Sequence, residues 1–494
     1  MIDEVDHGAK LISLPRIPQS RILRMVTFDS PRRSRIVLVV LAVLAGVVPL
    51  IGQAPRPVDL LVANGIVVTM DPERRVISPG SIAINGNAIV GVGPADRIGQ
   101  EFKARDTIDA QSRVVMPGLI NTHTHAPMVL YRGLGDDLAL MDWLQKYIFP
   151  AEAKTVSPSF VRTGTRLAAL EMIRSGTTAF ADMYYFEEEI ARVTKEAGLR
   201  GVLGQSIIEF PVPDAKTPAD GLARAEAFIR EFHKDDLIVP AVAPHSVYTL
   251  DAATLMRSRA LAAKYGVPIL IHLAETEGEN GLSQKRHKAR PVAALSALNF
   301  WGPTVIAAHG VWIQPDEMAV LHKHGVGVSH NPESNMKLAS GTAPVVDYLK
   351  IGIALGLGTD GAASNNDLDM FEAMRQAAFL HKLVTRDPRV VSARTALEMA
   401  TLGGARVIGK AKQLGSLEVG KLADLIVVRM DQPRQTPMYD PLSHLVYTTR
   451  GDDVETTIVN GKVLMRAGKV LTLSEADVLA AARAAAATVR TAVP

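Results

Sequence analysis

The sequence predicts an α/β protein: a (β/α)8, TIM-like barrel with a small β-sandwich domain built from both chain ends. Three observations carry this expectation. Over roughly 116–405, eight short apolar runs alternate with segments of helical periodicity, the pattern of parallel βα units. β-branched runs interrupted by turn dipeptides stand on either side of that stretch. Each of the eight runs turns polar at its C-terminal end, the face on which such a barrel assembles its chemistry.

Composition bounds the answer first. The 494 residues hold 54 Lys+Arg and 51 Asp+Glu, are 47% apolar and 21% charged, and so exclude a mainly disordered chain. Cysteine is absent, which excludes disulfides, thiolate metal sites and a cysteine nucleophile. The formal charge of +3 belongs wholly to residues 1–54, with seven basic and four acidic groups. The remainder carries 47 of each sign, so it has no basic field to draw nucleic acid or an anionic membrane.

Residues 1–54 read as a targeting segment. Pro31-Arg32-Arg33-Ser34-Arg35 precedes an uncharged apolar run, Ile36 to Ile51, and Gly52 and Ala54 take the −3 and −1 positions of a cleavage site. Pro55 at +1 disfavours cleavage, and the run is shorter than the about 20 residues of a membrane span. The region ahead of Arg32 is long, and a start at Met25 would shorten it. The expectation is export, as a signal peptide or as an uncleaved N-terminal anchor. A cytoplasmic location follows if the segment is not a functional signal.

Residues 55–115 are expected to form the first part of the β domain. Val58–Met70 and Ser81–Val92 are its strands, with turns at Asn64-Gly65, Pro79-Gly80 and Asn85-Gly86. The barrel is expected over 116–412. Its runs are Val114–Thr124, Thr177–Met183, Arg200–Ile208, Ile238–Ser246, Pro268–Glu275, Thr304–Gly310, Gly325–Asn331 and Gly352–Asp360. Helices are expected between them at Pro158–Ser175, Leu250–Lys264 and Asp316–Lys323. Residues 413–472 return to β, with Asp424–Val428, Thr456–Val459 and Lys462–Met465, the last two joined by an Asn460-Gly461 hairpin. In 473–494, the Ala-rich Glu475–Thr491 reads as a closing helix.

The polar groups at the run ends are His123 and His125, Asp182, Gln205, His245, His272 with Glu275, His309, His330 and Asp360. On a strand, residues i and i+2 face one side, so His123 and His125 can converge on an ion. His322-Lys323-His324 has the same spacing but lies at a helix end, where i and i+2 diverge by about 200°. Three neutral imidazoles and a carboxylate make an N/O site for one divalent metal per chain, Zn²⁺ first and Fe²⁺ second. Glu275, three residues beyond His272, is placed to move a proton beside such a metal; its alternative is a rim salt bridge.

Met116-Pro117-Gly118-Leu119-Ile120-Asn121-Thr122-His123-Thr124-His125 resembles the opening metal motif of the amidohydrolase superfamily, and Gly415–Leu425 also matches its pattern. More narrowly, the chain is similar to the bacterial 5′-methylthioadenosine/S-adenosylhomocysteine deaminases. The similarity lies in His125–Met128, Arg132–Leu134, Pro244–Thr249, Ser329–Gly341 and Gly358–Met370, and it spans roughly 57–470. It implies His123, His125, His272 and Asp360 as metal ligands. It implies metal hydroxide attacking C6 of an adenine nucleoside or thio-derivative (5′-methylthioadenosine, adenosine or S-adenosylhomocysteine), with release of ammonia. Asp360 would take the proton of water, Glu275 would protonate the ring nitrogen and relay protons to ammonia, and His309 would orient the nucleophile. Glu152 would hold the ribose, and His245, Trp143, Glu275 and His330 would complete the substrate site.

Two departures stand out. Gln205 occupies the position where some relatives place an arginine for the substrate's polar tail, with Arg224 as the nearest substitute, and Asn331 stands where many relatives have cysteine. An alternative within the superfamily is hydrolysis of another N-heterocycle, guanine or an s-triazine. A binding protein without turnover is a third reading, and it would require a missing catalytic group. The expected partners are a small-molecule substrate and no nucleic acid. A membrane enters only through residues 1–54, and a homo-oligomer is left open.

Overall fold

The computed structural model describes residues 54–492. The inferred targeting run and all but the last residue of its cleavage motif therefore lie outside the described residues. Among these, no helix is long and apolar enough to cross a membrane.

The two chain ends form one mixed sheet of nine strands. The N-terminal part supplies β1 (Arg56–Val68), β2 (Val76–Asn85), β3 (Ala88–Pro94), β4 (Phe102–Asp109) and β5 (Val114–Pro117). Eight barrel strands follow: β6 (Leu119–Thr124), β7 (Thr177–Tyr184), β8 (Arg200–Ile207), β9 (Ile238–Pro244), β10 (Ile269–Leu273), β11 (Val305–His309), β12 (Gly327–His330) and β13 (Ala354–Leu357). The C-terminal part returns with β14 (Leu425–Val428), β15 (Val454–Val459), β16 (Lys462–Arg466) and β17 (Lys469–Val470). The mixed sheet runs β17-β16-β15-β14-β5-β1-β2-β3, with β4 on β1. Its own core includes Leu60, Val62, Ile82, Val115, Leu425 and Ile458.

The barrel strands are all parallel and lie in sequence order from β6 to β13. Their near-complete burial explains why they read as continuous apolar runs rather than alternating ones. The two end strands meet where Thr122 Oγ1 donates to Leu357 O at 2.9 Å and Asp360 N donates to His123 O at 2.9 Å. The connecting helices carry their own start signals. Ser157 caps Pro158–Arg174, Thr217 and Asp220 form a reciprocal box at Pro218–Phe232, and Asp251 caps Ala252–Tyr265.

The eight expected runs are all strands, but the first is two. Val114–Pro117 pairs antiparallel with β14 in the mixed sheet, whereas Leu119–Thr124 pairs with β7 in the barrel. Gly118 makes the crossing: a Cβ there would lie 2.1 Å from Thr178 Oγ1, so no other residue fits without displacing β7. Two expected turns are not turns either. Asn64, at φ 63°, makes a register irregularity inside β1, and Pro79-Gly80 runs within β2. The hairpin at Asn85-Gly86 and the one at Asn460-Gly461 both form.

Candidate active site

Five ionisable groups converge at the C-terminal mouth of the barrel. His123 lies near the end of β6 and His125 just past it, His272 lies in β10, His309 ends β11, and Asp360 stands three residues past β13. The turn His123-Thr124-His125-Ala126 is pinned by Asp182 of β7, whose Oδ2 accepts from Thr124 Oγ1 at 2.6 Å and from the backbone N of Ala126. His309 and Asp360 adopt left-handed backbone, φ 73° and 65°. That conformation costs a non-glycine residue about 1–3 kcal/mol and persists where the surroundings over-determine it, as at functional sites.

The hydrogen-bond pattern fixes the nitrogens that face the centre. His125 Nδ1 lies 2.6 Å from Met183 O, and His272 Nδ1 lies 2.8 Å from His245 O. A carbonyl only accepts, so each Nδ1 carries the hydrogen and each Nε2 presents a lone pair. Those two Nε2 atoms are 3.3 Å apart. His123 Nε2 is buried without a hydrogen-bond partner, and Asp360 Oδ1 lies 3.4 Å from both His123 Nε2 and His125 Nε2. Lone pairs facing each other, beside an unpartnered nitrogen and a carboxylate, are stable only around a cation. The residues present thus fit a divalent metal with N/O preference.

His309 is held differently. Its Nδ1 faces the amide nitrogens of Asn335 at 3.0 Å and Asn331 at 3.2 Å. As the amides are placed, Nδ1 accepts and Nε2 carries the hydrogen. That Nε2 lies 3.9 Å from Glu275 Oε2 and 4.0 Å from Asp360 Oδ2. Burial would raise Asp360, yet the adjacent imidazole of His123, then His309 and His125, hold its carboxyl well below the usual range. Ser334 Oγ and Gly361 N also donate to it, both at 2.7 Å. Glu275 moves the other way: burial first, then the carboxyls of Asp360 and Glu279, push it well above the usual range. Its backbone N donates to Glu279 Oε2 at 2.9 Å, which fixes the loop after β10.

A cavity opens above this floor. His125, His272, Glu275, His309 and Asp360 line it together with Trp143, Phe149, Glu152, Tyr184 and Tyr185. Glu152 accepts from Tyr184 Oη at 2.7 Å, and burial pushes its carboxyl up to about 7 against the hydroxyls of Tyr184 and Tyr185. His245 also lines the cavity, and burial followed by the neighbouring His125 and His123 pushes it down to about 3, so it is neutral.

Not every expected residue arrives. His330 does not line the cavity: it is buried beside the helix Met370–Thr385, its Nε2 3.0 Å from His381 Nε2. Gln205 is turned onto Asp214, and Arg224 is bound by Glu188 at 2.7 Å and Asp214 at 3.1 Å, so neither reaches the cavity. Within the Gly358–Met370 stretch, Asn365 and Asn366 bond Glu333 and Asp136, and Ser364 lines the cavity.

Sequence reading missed the supporting residues: Tyr184 and Tyr185 around Glu152, Asn335 behind His309, Ser334 on Asp360 and Glu279 behind Glu275. The Tyr184-Tyr185 pair at the end of the second run was a visible polar-tipped signal. Glu279 lies four residues past its run end and carries none, and Ser334 and Asn335 fall in the Ser329–Gly341 stretch, which gave them no individual role.

Comparison with known proteins gives a consistent picture. The profile of the amidohydrolase family matches residues 114–464. A 5-methylthioadenosine/S-adenosylhomocysteine deaminase of Syntrophobacter fumaroxidans is 46% identical over 432 residues, 87% of this chain and 98% of that protein. A 5′-deoxyadenosine deaminase of Methanosarcina barkeri is 46% identical over 431 residues, 87% and 98% of the two chains. The crystal structure of an adenosine deaminase from Xanthomonas campestris with bound zinc superposes with a TM-score of 0.87 at 39% identity, covering 88% of this chain and all of that one.

Proposed function

The chain belongs to the amidohydrolase family of metal-dependent hydrolases, and from that membership we propose that it deaminates adenine nucleosides and their 5′-thio derivatives, exchanging the 6-amino group for oxygen and releasing ammonia. One observation carries the reading. One cavity is lined both by His125, His272, Asp360 and Glu275 and by the buried Glu152.

His123, His125, His272 and Asp360 would hold one metal, since their facing atoms lie 3.3–3.4 Å apart in the pairs His125–His272, His123–Asp360 and His125–Asp360, and three imidazoles with a carboxylate favour Zn²⁺. When bound, such a metal supplies Lewis acidity that makes water a nucleophile near neutral pH. The remaining work falls to side chains. Asp360, held ionised, takes the proton that water gives up as it adds to C6. Glu275, held protonated by burial, donates to the ring nitrogen; as a carboxylate it then takes the proton of the hydroxyl added at C6, while the proton held by Asp360 goes to the departing amine, which leaves as ammonia rather than amide. His309 donates from Nε2 toward the incoming oxygen and fixes its direction. Glu152 accepts from ribose hydroxyls, a contact that a flat guanine or triazine does not need. His245 and Trp143 bound the base.

The zinc-loaded full chain should release ammonia from 5′-methylthioadenosine and adenosine, lose activity on chelation, and regain it on adding zinc. Turnover of guanine or an s-triazine, with none of any adenine nucleoside, would replace this reading by the other heterocycle class.

A further inference from the structure

Part of the cavity wall comes from a single stretch of chain. Leu140, Trp143, Leu144, Ile148, Phe149 and Glu152 all line the cavity, and all lie between His125 and the start of the helix Pro158–Arg174. The stretch is closed at its base, where Tyr131 Oη and Thr155 Oγ1 are 2.6 Å apart. Its leading part is held less firmly. Gly133, Gly135 and Asp137 take left-handed backbone, at φ 76°, 76° and 62°, and Arg132, Asp136 and Asp137 are exposed. Leu134 and Leu138 are only partly buried.

Among the described residues from Gly133 to Ile148, the only side-chain hydrogen bonds or ion pairs that reach beyond the stretch are those of Asp136. Lys337 Nζ donates to Asp136 Oδ1 at 2.6 Å, and Asn366 Nδ2 donates to Asp136 Oδ2 at 3.2 Å. Lys337 also donates to Asn366 Oδ1, which closes a ring of three side chains. Both partners stand close to cavity residues: Leu338 follows Lys337, and Ser364 lies two residues before Asn366. Lys337 also ends the helix Pro332–Lys337, whose Ser334 and Asn335 bond Asp360 and His309. On the other side, Gly135 passes the position of Asp136 on to the wall. It lies so close to Tyr147 that a Cβ there would be 2.8 Å from the ring.

We propose that Lys337 is a positioning residue, which through Asp136 holds the stretch bearing Trp143 and Glu152 in place around the nucleoside. The role rests on the deaminase reading of the cavity given above. The Lys337 ammonium and then the Asn366 amide hold the Asp136 carboxyl below its usual range, against the effect of burial, so the pair is charged at neutral pH. It is also partly exposed, 22% at Lys337 and 37% at Asp136, and ion pairs of that kind are weak in water. The tie can therefore break to admit a nucleoside and form again around it. Without it, only the fraction of molecules with the wall in place binds substrate, so the loss falls on KM rather than on kcat.

The test compares the zinc-loaded full chain with its variants on 5′-methylthioadenosine by ammonia release. Lys337→Met and Asp136→Asn should each raise KM about fivefold and leave kcat within about threefold. The reversed pair, Asp136→Lys with Lys337→Asp, should bring KM back to within about twofold of wild type, because the Asn366 amide can turn over to serve either polarity. An unchanged KM in both single variants, a loss confined to kcat, or a reversed pair no better than the single variants overturns the proposal. A second readout needs no substrate. Acrylamide quenching of tryptophan fluorescence should rise in Lys337→Met, and the rise should vanish when Trp143→Phe is added. Equal quenching in wild type and Lys337→Met overturns the proposal even if KM changes. No turnover of any adenine nucleoside overturns the deaminase reading and the positioning role with it, while the quenching comparison still shows whether Lys337 holds the stretch.

Discussion

Glu152 lines the cavity with its carboxyl pushed up to about 7 by burial. Ribose hydroxyls donate best to the ionised form, which grows as pH rises through that value. The apparent KM for a nucleoside should therefore fall about tenfold between pH 6 and pH 8, following the ionised fraction. Glu152→Gln should raise KM and flatten that profile, and a profile retained in the variant would assign it to another group. Glu275 is tested by a different split. Glu275→Gln keeps the size and polarity of the side chain but cannot deliver a proton. Bound zinc, read by metal analysis, should be retained while turnover drops by about 10² to 10⁴. Wild-type turnover would remove Glu275 from the proton path. At this scale the groups on the cavity floor were legible because each stands at a run end, whereas Glu152, in the helix Phe149–Thr155, was suggested only by the family resemblance. Asn335 and Ser334 were not legible, because they reach His309 and Asp360 from the short helix Pro332–Lys337, across a distance that only folding closes.

At the scale of elements, the step from β5 to β6 shifts the chain from one sheet to the other within a single residue. Gly118 N donates to Asp424 O at 3.1 Å, and Leu119 N donates to Gly176 O at 3.0 Å, so the two bonds straddle the change of sheet. A side chain at 118 would strike Thr178 of β7. Gly118→Ala should cost about 1–3 kcal/mol by overpacking, seen as a lowered denaturation midpoint. Combining it with Thr178→Ser should recover part of that loss, since one of the contacts is to the Thr178 methyl at 2.2 Å. Simple additivity of the two changes would argue against this contact as the cause. The sequence ran Val114–Thr124 together because both strands are apolar and nothing in a hydropathy pattern marks which sheet a strand joins. Asn64-Gly65 and Pro79-Gly80 misled for a related reason: long strands of the mixed sheet absorb such residues as irregularities when neighbours hold them on both sides.

At the scale of the whole molecule, Arg200 at the start of β8 ties the barrel to the mixed sheet. Its guanidinium donates to both carboxylate oxygens of Asp424, at 2.6 and 3.1 Å, and to Asn460 Oδ1 at 2.7 Å, all largely buried. Breaking a buried pair leaves an uncompensated charge. Arg200→Met should destabilise by about 3–5 kcal/mol in chemical denaturation, and Arg200→Met with Asp424→Leu should recover most of it. A loss below 1 kcal/mol in the single variant would show that the pair does not hold the two sheets together.

The sequence by itself determined the fold class, the order of the barrel strands and the residues that carry charge at the mouth. Period, turn chemistry and run ends are local properties, and a barrel turns strand order directly into spatial order. Tertiary structure decided what is not local. It sent β5 and β6 to different sheets, turned His330 away toward His381, and bound Arg224 to Glu188 and Asp214 instead of releasing it to the cavity. It also set Phe210 edge to face against Phe149. Each of these outcomes depends on which side chains compete for the same space and the same partner. That competition is settled only when distant segments pack against one another.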